Sequence, residues 1–282
     1  MKNSLQIAIV ILFLSFAGYM PGQDKAGRNV VLTEAQIEKM LADEPIEKQV
    51  EFYDSLANNF RIQGKDTVKA LQYVNKALEL GEQIPYSFAL AHALFIRSKC
   101  YRDMLKYKKA LKDLDSALVI FKRLDEKAWV GTVYADYGNI YYKKSDYNKA
   151  LEGYLKGLEY GEKSGDKELT NICLNNVGNI YFLNKNYDKA IEYYLKSYDV
   201  NKSSNNLARS ASILDNISMV YTTKGEYDMA LVYATTAAKT VEKMDKTGNV
   251  GLLGEIYMNI GTILNSMKKQ DSALEYYKKA YQ

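Results

Sequence analysis

The sequence predicts an all-α protein, a right-handed α-α superhelical solenoid of about six helical hairpins. Three observations carry that prediction. One pattern returns every forty residues along most of the chain, each copy holds two apolar stripes at helical spacing split by a polar turn, and no proline occurs after residue 85. Proline costs about 3 kcal/mol inside a helix, so a long proline-free stretch suits helix throughout.

Laying the chain on itself exposes the repeat. Residues 139–150 align with 179–190, then with 219–230, and one step back with 99–110. An alanine recurs in six copies, at Ala70, Ala110, Ala150, Ala190, Ala230 and Ala273, the last after a three-residue insertion. Leucine or isoleucine follows each one. Seven residues later comes a second small residue: Ala77, Ala117, Gly157, Ser197, Ala237 and Ala280. Twelve residues before the alanine stands a third small or short residue: Asn58, Ser98, Gly138, Gly178, Ser218 and Gly261. Three residues beyond that, Tyr101, Tyr141, Tyr181, Tyr221 and Leu264 supply bulk in five copies.

The physical meaning is direct. Small residues at fixed places let the two helices of a hairpin approach closely, and tyrosines and leucines fill the adjoining grooves. Polar stretches such as Lys143–Asp146 and Lys224–Glu226 supply the turns. One hairpin cannot bury its apolar face alone, so hairpins stack on their neighbours. Ahead of the array, Thr33 and Gln36 form a capping-box pattern, and Ile37, Met40 and Leu41 share one face of a short helix expected to cap the first repeat.

These registers resemble the tetratricopeptide repeat family, whose signature is small-x-x-Tyr in the first helix and Ala-x-x-x-aromatic-x-x-Ala in the second. The resemblance covers residues 47–282. It departs from the family in its forty-residue period, against about 34, in lacking the late proline and the early tryptophan, and in Asn58 and Arg61 of the first copy. HEAT and armadillo stacks have a closer period but not this spacing of small residues. The expected organisation is a signal peptide at 1–22, a linker and capping helix at 23–46, and repeats near 51–90, 91–130, 131–170, 171–210, 211–253 and 254–282. The last copy stops inside its second helix, which leads to the expectation that the chain continues in a longer protein.

In such arrays the first helix of each hairpin lines a concave groove, through the second, fifth, sixth, ninth, twelfth and thirteenth positions when the small residue counts as the eighth. The resemblance implies that the groove-facing residues include Asn139, Tyr142, Asn175, Asn176, Asn179, Phe182, Asp215, Asn216, Asn259 and Thr262, with Asn265 beyond them. An amide offers a donor and an acceptor, so a row of asparagines suits the backbone of an extended peptide whatever its side chains. This is similar to repeat proteins of the bacterial quorum-peptide receptor and kinesin-light-chain type. The same amides equally suit bracing of neighbouring helices. Phe95 and the single histidine, His92, fall on the same face in the second copy, with Lys99 and Arg102 nearby. Tyr142, Phe182 and Phe95 suit an apolar side chain of a ligand or packing equally, and the expectation for His92 is a solvated side chain.

Composition excludes much chemistry. One histidine and two cysteines, Cys100 and Cys173, leave no closely spaced zinc ligands, no catalytic triad and no cofactor motif. Both cysteines lie in helical stretches and read as small buried apolar residues. Gly64–Thr67 has the end of a phosphate loop but not its leading glycine. The formal charge of +4 is small and spread out, so no nucleic-acid surface is expected. Met1–Asn3 followed by the uncharged, apolar Leu5–Ala17 reads as an export signal, too short to span a bilayer comfortably. The expected protein is therefore an exported, periplasmic or extracytoplasmic scaffold. It has no catalytic, metal or cofactor residues and binds a protein or peptide. The competing expectation is the sensory region of a histidine kinase or DNA-binding regulator, with membrane contact only through the N-terminal segment or a helix further along.

Overall fold

The computed structural model describes residues 22–23, 29–30, 34–63, 66–203, 206–244 and 250–281. Within them lie thirteen helices and one short antiparallel pair, β1 (Gly22–Gln23) with β2 (Asn29–Val30). The helices are α1 (Glu34–Leu41), α2 (Ile46–Ile62), α3 (Thr67–Gly81), α4 (Phe88–Asp103), α5 (Tyr107–Arg123), α6 (Lys127–Lys143) and α7 (Tyr147–Ser164). They continue as α8 (Lys167–Leu183), α9 (Tyr187–Ser203), α10 (Leu207–Lys224), α11 (Tyr227–Glu242), α12 (Val250–Ser266) and α13 (Gln270–Ala280). From α2 onward they pair into six hairpins, each an A helix followed by a B helix. The fold is all-α and repetitive, as the sequence predicts. The expected signal peptide, Gly22 excepted, lies outside the described residues, as do Thr33 of the capping box and Gly64–Lys65. No described helix is long and apolar enough to cross a membrane.

The chain divides into two compact units, 1–133 and 134–282, with the division inside α6. In the first, α1 buries Ile37 and Leu41, and its Glu34 and Glu38 hold Lys76 of α3 at 3.5 and 3.1 Å. Trp129 stacks on Phe121 at 5.4 Å and meets the edges of Phe88, His92 and Phe95. In the second, the cores of successive hairpins merge: Ala190, Tyr194, Ile213, Ile217 and Val220 pack together, and Ala230, Ala234, Ala237, Ile256, Ile260 and Ile263 follow.

Local chemistry sets where helices start and turn. The side chains of Asp66, Ser87, Asp146, Asp166 and Asn206 each accept a hydrogen bond from the backbone N–H three residues on, satisfying an otherwise orphaned donor. Five A-to-B turns share one left-handed residue in the same register, Leu105, Ser145, Lys185, Gly225 and Lys268, with φ of 60°, 60°, 58°, 79° and 62°. Only one of the five is glycine, although left-handed backbone suits glycine best.

The recurring alanines Ala70, Ala110, Ala150, Ala190 and Ala230 are fully buried. The small residue of the A helix has a partner sixteen residues later on the B helix. At Gly138, Gly178 and Gly261 that partner is Tyr154, Tyr194 or Tyr277, and a Cβ on the glycine would lie 2.5, 2.7 or 2.5 Å from the tyrosine ring. Alpha carbon and ring occupy one joint, with no room for a methyl group. Gly153 brings α7 equally close to α6, since a Cβ there would sit 2.7 Å from the Gly138 nitrogen. Where the A residue is Ser218 the B residue is Ala234, and the Ser218 hydroxyl donates to the Ala230 carbonyl at 2.8 Å. Both cysteines are free and buried, and burial pushes the thiol of Cys100 up to about 11 and that of Cys173 up to about 12.

Candidate functional site

The predicted groove residues from Asn139 to Asn265 lie in the second unit, on the A helices α6, α8, α10 and α12. Their amides do more for the fold than the sequence showed. The Tyr154 hydroxyl donates to Asn139 Oδ1 at 2.9 Å, and the Tyr194 hydroxyl donates to Asn179 Oδ1 at 2.6 Å. The Gly138–Tyr154 and Gly178–Tyr194 joints are thus each locked by a hydrogen bond to the residue after the glycine, while at Gly261–Tyr277 that residue is Thr262, which bonds its own helix. Asn139 also donates to Asp136 at 2.9 Å. Burial raises the tyrosine hydroxyl of Tyr194 well above its ordinary range.

A second set of amides bridges successive A helices. Asn216 Nδ2 donates to Asn175 Oδ1 at 3.2 Å, and Asn259 Nδ2 donates to Asp215 Oδ1 at 2.7 Å. Both bridges run from the same position of one repeat to the residue one place earlier in the register of the preceding repeat. Asn176 holds the donor position on α8, but the matching place on α6 is Ala135, which offers no side-chain acceptor. Asn176 is half-buried and has no side-chain hydrogen bond among the described residues. Burial raises the carboxyl of Asp215; its bond from Asn259 pulls the other way, and Glu255 adds to the rise.

Apolar side chains stand between these amides. Tyr142 is 41% exposed and Met219 is 45% exposed, and Ile172 and Met258 are also exposed on this face. Phe182 is half-buried against Tyr187 at 6.0 Å. Thr262 and Asn265 are exposed, and the Thr262 hydroxyl donates to its own helix at the Met258 carbonyl. Sequence reasoning passed over Ile172, Met219 and Met258, though they occupy groove positions of the register, because single apolar residues on a helix read equally as core.

In the first unit the structure decides between the two readings of Phe95 and corrects the expectation for His92. Phe95 is buried among the rings around Trp129, where it packs and does not line a groove. His92 is not simply solvated: its Nδ1 lies 2.5 Å from Asp54 Oδ2 and its ring meets Trp129 edge-on at 4.7 Å. Asp54 is only 4% exposed, so the histidine serves as partner to a buried carboxylate. Lys99 sits over the Phe95 ring at 4.3 Å and Arg102 lies 3.5 Å from Asp103, so both have partners within the unit. No cluster of histidine, cysteine and carboxylate side chains able to hold a metal occurs among the described residues.

Stacked two-helix repeats, with buried alanines at the joints and polar residues along the A helices, define a tetratricopeptide-type helical repeat protein. The family described as soluble NSF attachment protein, SNAP, matches residues 23–212, well over half of the chain, and the chain belongs to that family; residues 254–282 match the tetratricopeptide repeat. A search among curated proteins found no match. Among solved structures, the chain is similar to BtubC (BKLC) from P. vanneervenii, with 17% identity and a TM-score of 0.66 over 85% of this chain and 91% of that one. It is similar to a signal transduction ATPase with numerous domains from Pyrococcus horikoshii, which carries a tetratricopeptide repeat sensor. There the identity is 21% and the TM-score 0.69, over 88% of this chain and 38% of that one. A Rap protein complexed with competence and sporulation factor matches at 19% identity and a TM-score of 0.60, over 86% and 66%. At these identities the likeness concerns the fold.

Proposed function

We propose that this protein is a non-catalytic scaffold whose A helices, in the second unit, bind an extended segment of another protein. The observation that carries this reading is the amide row with its open position: Asn176 repeats the donor place of Asn216 and Asn259, but the register position of its acceptor holds Ala135. A peptide carbonyl would complete the bond. Half-exposed Ile172, Met219 and Met258 on the same face would take apolar side chains. Each amide bond contributes only about 0.5–1.5 kcal/mol net, so binding rests on several together. The likeness to a Rap protein complexed with competence and sporulation factor supports this use of the fold without supplying the partner.

Asn176→Ala is the cleanest test, because Asn179 and Asn216 also brace the fold. Peptides selected from a random display library on the whole chain are expected to lose several-fold affinity for Asn176→Ala, with the thermal unfolding midpoint unchanged. Absence of any enriched peptide, or full retention of affinity by Asn176→Ala and by Met219→Ala, rejects the reading.

A sensory role draws on the same face, and the likeness to the repeat sensor of the P. horikoshii ATPase favours it as a second reading. Export is proposed from Leu5–Ala17 alone. N-terminal sequencing of the protein from fractionated cells decides it, with a cytosolic, unprocessed product counting against export.

A further inference from the structure

The chemistry of the second unit's A-helix face also points to the charge of its occupant, an inference that rests on the peptide-binding reading above. At the groove positions of α8, α10 and α12 the side chains are amides, hydroxyls and apolar groups, with two exceptions, Asp215 and Glu255. Both are acids. No lysine or arginine occupies any of these positions. Two basic residues of α10, Arg209 and Lys224, are engaged elsewhere: Arg209 with Glu168 at 2.5 Å, and Lys224 with Asp188 at 3.1 Å and Glu226 at 3.0 Å. The exposed Lys143 stands at the end of α6, outside these three helices.

Asp215 is half-buried and uses Oδ1 for Asn259. Its burial and the neighbouring Glu255 both oppose the charged form. A carboxylate held in this way and facing no cation is under-compensated, and a basic side chain arriving with a ligand would supply the missing charge and the missing donor. Met219 lies one helical turn from Asp215 on α10, and Met258 stands one residue before Asn259 on α12, so an apolar contact adjoins the acidic one.

We propose that this face selects an extended peptide segment carrying a lysine or arginine next to apolar residues, seating the basic side chain at Asp215 and Glu255, and that it rejects acidic segments. The complementarity is of charge and of hydrogen-bond donors, since the face otherwise offers mostly neutral groups.

The test uses the whole chain and two acetylated, amidated heptapeptides of identical leucine and methionine content, one with two central lysines and one with two central glutamates, followed by fluorescence anisotropy. The lysine peptide is expected to bind about tenfold or more tightly than the glutamate peptide. Asp215→Asn with Glu255→Gln is expected to erase that difference while keeping the Asn259 bond and the unfolding midpoint. Equal binding of both peptides by the unaltered protein overturns the charge selectivity and leaves the peptide-binding reading standing. A lysine preference that survives the double substitution places the selectivity elsewhere and overturns the assignment. Failure of both peptides to bind overturns the inference together with the reading beneath it.

Discussion

The hairpins α8–α9 and α10–α11 solve one packing problem in opposite ways. In the first, Gly178 surrenders its side chain and Tyr194 fills the joint, with its hydroxyl held by Asn179. In the second, Ala234 surrenders bulk and Ser218 supplies a hydroxyl that bonds across to Ala230. The positions sixteen residues apart therefore act as a pair. What the fold requires is a filled joint with its polar atoms satisfied, and neither residue alone defines it.

The sharpest way to break this comparison is Tyr194→Ala, which places the alanine of the second hairpin opposite the glycine of the first. It empties the joint and is expected to cost about 3–5 kcal/mol in chemical denaturation. Adding Gly178→Ser, which transplants the whole Ser–Ala pair, is expected to recover a measurable part of that loss; strictly additive effects would dismiss the pairing. Gly178→Leu acts from the other side. The Tyr194 ring already lies 2.7 Å from the position of a Cβ, so overpacking of about 1–3 kcal/mol is expected from the same measurement.

Tyr194→Phe keeps the volume and removes only the hydroxyl bonded to Asn179. Its expected cost is about 1 kcal/mol, and a loss as large as that of the alanine variant would mean that the hydrogen bond, not the packing, holds the joint. The turns offer a smaller contrast. Gly225 and Lys185 share the left-handed conformation, and Lys185→Gly is expected to change stability by less than about 1 kcal/mol, in either direction, because relief at the turn offsets the freer unfolded chain.

Outside the joints, Tyr257 donates to Glu242 at 2.7 Å between α12 and α11. Burial first, and then this bond, push its hydroxyl up to about 12 from an ordinary value of 10.0. A group raised in the folded state stabilises below its unfolded pKa and loses that contribution as pH climbs towards the folded value. Tyr257→Phe should therefore fall off less steeply than the unaltered protein between about pH 10 and 12, as read by unfolding midpoints.

The same division runs through what could be read in advance. The hairpins, their stacking and the buried alanines were legible because helical periodicity and small-residue spacing are local and repeated six times. The recurrence of asparagines along the A helices was legible as a row. Its internal bonds were not, because Asn216 meets Asn175 and Asn259 meets Asp215 across forty or so residues of chain. The role of His92 was equally hidden: its partner, Asp54, lies on another helix.

By itself, then, the sequence determined the secondary structure, the repeat register and the poverty of catalytic groups, since each follows from residue type and spacing along one chain. Only the tertiary structure decided which asparagines are spent on the fold and which remain open, why glycine and tyrosine must occur together, and that Phe95 is core. Those outcomes depend on which side chains of different helices meet, and no single helix contains that information.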